Sequence, residues 1–124
     1  MTIEELAERL QILFEQDVIN KKGYDVSTTA FEKLTDELHK QDVEQAEMLF
    51  THLPTALLRI ENNEEVESPE QTVMEEVESS RYFSLAKAHV AFIEENWGKS
   101  LPDEEREFLQ MHYTNVLNVN KGGE

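Results

Sequence analysis

The apolar residues between Ala46 and Ile60 constrain this chain more than any other feature. Ala46, Leu49, Leu53, Ala56 and Ile60 form a ladder with steps of three and four, and Phe50 and Leu57 fill the same face. That is the period of an α-helix with one buried side. No segment alternates with period two for long enough to make a strand, so the chain is expected to be all-α.

The remaining punctuation fits that class. Thr2 with Glu5 is a capping box, and Ile3, Leu6, Leu10, Leu13 and Phe14 follow on one face. This first helix is expected to end near Asn20, with Gly23 of "NKKGY" acting as a stop. A shorter second helix is expected to be capped by Ser27, Thr28 or Thr29 and to bury Phe31, Leu34 and Leu38. Asp42 with Gln45 is a cap signal for the helix that carries the ladder, and "NNEEVESPE" ends it. Ser68 and Pro69 lead into a fourth helix with Val73, Met74 and Val77 apolar, and "SSRYF" interrupts. Phe83, Leu85, Ala86, Val90, Phe92 and Ile93 then carry a helix to Trp97 and Gly98. Pro102 and the acids after it suit the first turn of a last helix. The expectation is one domain over residues 1–119, a compact bundle of five to six helices, with residues 120–124, "NKGGE", as a disordered tail.

Composition excludes several functions. With no cysteine there is no disulfide, no thiol nucleophile and no thiolate metal site, as suits a reducing compartment. The N-terminus carries acids where a secretion signal has bases, and no apolar run approaches the roughly 20 residues of a membrane span. The chain is expected to be cytoplasmic, with no membrane contact. A formal net charge of −16 repels phosphate backbones, so direct nucleic-acid binding is not expected. Glu61 to Glu78 is a stretch of glutamates without a base, which reads as a solvated linker or as a patch for a basic partner. No HExxH spacing or paired carboxylate–histidine motif appears, and neither a metal nor a cofactor is expected.

Four histidines remain. His39 lies near a helix end, and His89 has no reactive cluster around it in sequence. On a helical wheel with Leu49 at 0°, His52 falls at about 300° and Arg59 at about 280°, so they share the border of the apolar face. They stand roughly 10.5 Å apart along the axis, and helical side chains lean toward the N-terminus. An imidazole near a guanidinium can form and hold a phosphoryl group; it can equally be a solvated border pair. Pro54 frees the carbonyl of Phe50 and favours a kink. His112 lies at the centre of the apolar face of Phe108, Leu109, Val116 and Val119, as a hydrogen-bonded core histidine or a residue at a subunit interface.

Several motifs occur together in order: His52, Arg59, Ser68–Pro69, Gly98, Leu101–Pro102–Asp103–Glu104 and "FLQMH". In that order they resemble the PTS regulation domain, or PRD, found in antiterminators and transcription activators of sugar operons; the likeness is strongest over residues 44–119. The resemblance implies a stand-alone single PRD, a non-enzymatic phospho-acceptor module of the bacterial sugar phosphotransferase system. It implies phosphorylation on His52 and His112, with Arg59 contacting the phosphate. The implied donor is a histidine-phosphocarrier protein or a sugar-specific component of that system, and the implied consequence is control of partner binding or of packing in a homodimer. Many family members carry an Asp just before the first histidine, where this chain has Thr51, so one carboxylate that could orient the ring is missing. The alternative is an acidic helical interaction or dimerisation protein that is never phosphorylated.

Overall fold

The structure, a computed structural model, describes residues 1–65 and 68–122. Among these, six helices run α1 Ile3–Glu15, α2 Lys21–Leu38, α3 Glu47–Glu61, α4 Gln71–Glu78, α5 Phe83–Trp97 and α6 Asp103–Lys121, and no strand occurs. The all-α class is as expected. The spacer "NNEEVESPE" is described except for residues 66 and 67.

Helix α2 is the hub of the bundle. It packs against α1, α3, α5 and α6, while α6 also packs on α3, α4 and α5. The α2–α3 seam is anchored by Phe31 and Phe50, both fully buried, whose rings meet edge to face at 5.1 Å. The ladder read from the sequence is the face that α3 buries, with Leu49, Phe50, Leu53, Ala56 and Leu57 all in the core. Glu61, at the end of α3, clamps the base of the bundle. Its carboxylate accepts hydrogen bonds from Asn20 Nδ2 at 2.7 Å and from the Trp97 indole at 3.3 Å.

Local chemistry moves four boundaries from where the pattern placed them, and α2, expected as a shorter helix capped by Ser27, Thr28 or Thr29, starts at Lys21 and is longer than α1, with those three residues inside it. Helix α1 stops at Glu15 rather than near Asn20, and Asn20 instead caps α2 by accepting from the Gly23 amide at 2.9 Å. Gly23 is therefore inside α2 and stops nothing. A Cβ there would sit 3.3 Å from the Pro54 carbonyl oxygen, so glycine permits the close approach of α2 to the proline turn of α3. Asp42 does not cap α3. It receives the N-terminal ammonium at 2.7 Å, and α3 begins after Ala46 with no side-chain cap. The tail is also shorter than expected, because α6 continues through Asn120 and Lys121. Asn120 holds it: its side chain accepts from the Glu44 amide at 2.9 Å and donates to the Glu44 and Val116 carbonyls. Residues 123 and 124 lie outside the described residues.

Gly98 ends α5 as the pattern indicates, in the left-handed conformation at φ 87°. A Cβ on Gly98 meets nothing within 4 Å, so its cost is conformational alone. Gly98→Ala is expected to lower stability by about 1–2 kcal/mol, read from urea denaturation midpoints. An unchanged midpoint would show that the turn relaxes into another conformation.

Candidate functional site

Pro102 begins the site. It occupies the N-cap of α6 and has no amide hydrogen. A glutamate three residues into a helix ordinarily reaches back to the N-cap N–H, as Glu5 does to Thr2 in α1. Glu105 holds that position in α6 but has no such donor behind it, and it turns inward instead. Asp103 and Glu104 remain exposed, while Glu105 is fully buried.

Glu105, Phe108 and His112 follow at steps of three and four, so α6 presents them on one face to α3. His52 of α3 meets all three. Its Nε2 lies 2.5 Å from Glu105 Oε1, within a short hydrogen bond. The imidazole stacks on the Phe108 ring at 4.4 Å between centroids, and the His112 ring lies 5.5 Å away. Phe108 also touches His112, at 4.7 Å. The carboxylate and the phenyl ring together fix the orientation of His52, whose side chain keeps 19% of its surface exposed. The second carboxylate oxygen of Glu105 is buried without a hydrogen-bond partner. An unpaired buried carboxylate oxygen costs stability, which is typical of sites kept for function.

Both histidines open onto one groove of about 470 Å³, between α1, α3 and α6. Burial, reinforced by the nearby His52 ring, holds His112 well below an ordinary histidine, at about 4, so it is a neutral imidazole near neutral pH. Arg9 of α1 also lines the groove and donates from Nη1 to Thr51 Oγ1 at 2.8 Å. Thus the residue in place of the usual Asp grips a guanidinium, and the carboxylate at His52 comes from Glu105.

Arg59 does not line this groove. It is exposed and lines a second one, with Leu13, Asp17, Val18 and Thr55. The physical reason is the two helical turns between the residues: α1 lies along α3 so that Arg9 faces Thr51 while Leu13 shares the second groove with Thr55 and Arg59. His39 forms the left-handed C-cap of α2, and His89 is buried against Tyr113, its ring stacked at 5.0 Å; neither lines the groove. Among the described residues no group of three His, Asp or Glu side chains is placed to hold a metal ion, and no helix is long and apolar enough to cross a membrane.

The structure is thus an all-helical domain with two histidines facing each other across a helix pair in an open groove. The PRD domain family model matches residues 28–116, well over half of the chain, and the chain belongs to that family. PRD domains serve as regulatory phospho-acceptors in the phosphotransferase system and are not catalysts. No curated protein and no solved structure matches the chain.

Proposed function

We propose that this protein is a cytoplasmic regulatory module of the sugar phosphotransferase system, phosphorylated on His52 or His112. The donor is a histidine-phosphocarrier protein or a sugar-specific component of that system, and the phosphate changes dimer packing or partner choice. The observation that carries this reading is the pairing of His52 and His112, 5.5 Å apart, in one open groove of a PRD domain.

The chemistry follows from the hydrogen bond to Glu105. With the proton of His52 on Nε2, facing the carboxylate, the lone pair lies on Nδ1. That pair forms the new N–P bond as the donor's N–P bond breaks, and the breaking bond's electrons return to the donor nitrogen. The ring becomes cationic while its remaining proton stays shared with Glu105.

Incubation with a reconstituted phosphotransferase chain, read by intact mass, is expected to add phosphate that is labile in acid and stable in base. Replacing His52 and His112 together by Ala should abolish the label, and His39→Ala should not. Light scattering before and after labelling reads the dimer. Label that survives the double replacement rules out these acceptors. The rival, an unphosphorylated acidic interaction protein, draws on the groove between α4 and α6 lined by Glu75, Glu78, Glu104 and Glu107, and it predicts no label at all.

A further inference from the structure

Phosphorylation places a dianionic phosphoryl group on a chain that already carries −16. A phosphoryl group on His52 therefore needs a local cation. The basic side chains are few, and most are committed elsewhere: Arg106 is paired with Glu94 and Asp103, Arg81 lies on Tyr82, and Arg59 lines the other groove. Arg9 differs from all of these. Its guanidinium lines the histidine groove and donates to the hydroxyl of Thr51, the residue before His52. Among the described residues no carboxylate lies within 4.0 Å of it, although the groove's rim includes Glu47, which faces the N-terminal ammonium at 4.0 Å.

Arg9 is also outside the segment that defines the family. The match begins at residue 28, so α1 is an addition to it. Helix α1 is bound to the bundle through Leu6 and Leu10, both fully buried, which sets the position of Arg9 one helical step from Leu10.

We propose that Arg9 holds the phosphoryl group on His52, so that α1 serves as a clamp that tightens on the modified domain. This rests on the acceptor reading above. In the unmodified protein the guanidinium grips Thr51; on phosphorylation it turns its remaining N–H donors, a planar fork, to two of the phosphoryl oxygens. The contact joins α1 to α3 by an ion pair where a hydrogen bond to a neutral hydroxyl stood. Phosphorylation state is thereby reported in how firmly the N-terminal helix is held.

The test uses the full chain and potassium phosphoramidate, a small donor that transfers its phosphoryl group to histidine and releases ammonia. Wild type, Arg9→Lys, Arg9→Gln and Thr51→Val are labelled, and phosphate on His52 is followed at neutral pH by mass spectrometry of the intact chain and its peptides. Thermal melts show whether each variant is folded. Arg9→Gln is expected to lose phosphate about ten-fold faster than wild type, at the lower end of what a charge-assisted hydrogen bond contributes. Arg9→Lys should fall between them. Thr51→Val should stay within about two-fold of wild type, because the phosphoryl group replaces the hydroxyl as the partner. Hydrogen exchange of α1 amides should slow on labelling in wild type and not in Arg9→Gln. Equal phosphate lifetimes in wild type and Arg9→Gln overturn the proposal, as does a Thr51→Val lifetime as short as that of Arg9→Gln, which makes the pair a structural one. Wild type that takes no phosphate on either His52 or His112 overturns the acceptor reading itself, whereas label on His112 alone, or a long-lived label on His52 indifferent to Arg9, overturns only the clamp.

Discussion

Between pH 6.5 and about 4.5 the protein is expected to lose several kcal/mol of stability, on the order of 5 kcal/mol. Burial holds His89 at about 4, with Glu37 opposing the shift and Lys33 adding to it, and burial with the nearby His52 holds His112 at about 4. In the unfolded chain each titrates near 6.5. The unfolded state therefore binds more protons across this window, and stability rises with pH through it. The contribution is complete above the unfolded value and is lost as pH falls toward the folded one. Each pH unit of difference is worth about 1.4 kcal/mol, so each histidine costs roughly 3 kcal/mol by pH 4. The two together come to about 6 kcal/mol, a large share of the stability of a domain this size, about 5–15 kcal/mol. Urea midpoints at pH 7, 6 and 5 should fall steeply, and His89→Gln should remove about half of the slope. A midpoint that stays level from pH 7 to 4.5 would mean that both rings find water or a partner when charged. Protonation of surface carboxylates relieves self-repulsion in this acidic chain with the opposite sign, chiefly below about pH 5, so the interval from pH 7 to about 5 is the informative one.

How far the sequence foretold the site differs from residue to residue, and the reason is physical each time. Periodicity located the buried face of α3 because burial of one helix side leaves a local mark in the chain. It could not separate α1 from α2 correctly, because "NKKGY" holds two plausible signals. Asn20 as a cap and Gly23 as a stop compete locally, and only the approach of Pro54 to Gly23 decides between them. His112 read equally well as a core residue, since it is in fact mostly buried, and only His52 opposite it makes a site of the pair. Arg59 shared the wheel position of His52, but a wheel collapses the helix axis, and two turns along that axis Arg59 lines a different groove. Arg9 left no local sign, because its relation to Thr51 is set by how α1 lies on α3. Glu105 did leave one: a glutamate three residues after a proline cap has no backbone donor to reach, and it stands at helical spacing from Phe108 and His112.

Glu105→Gln is expected to slow phosphorylation of His52 by about 100-fold while leaving the fold at least as stable. The amide keeps the shape of the carboxylate and can still accept from Nε2, but it removes the negative charge. That charge matters most as the N–P bond forms and the ring turns cationic, in a site where Glu105 is fully buried and the field is weakly screened. Loss of one preorganised electrostatic partner of this kind typically costs 100-fold or more in rate. Stability responds differently. The unmodified protein buries a carboxylate with one oxygen unpartnered, so neutralising it removes a desolvation cost that offsets any weakening of the bond to His52. Glu105→Leu carries the argument further: it should raise the melting temperature and abolish label on His52, leaving only what His112 accepts. The same two readouts, label per chain against time and the thermal midpoint, decide the matter. If Glu105→Gln labels within about three-fold of wild type, the carboxylate serves only to seat the ring. If it labels slowly because the chain has melted, the pair is structural. A stable Glu105→Gln that labels slowly means that the buried charge between α3 and α6 is kept, at a cost in stability, for the chemistry of His52.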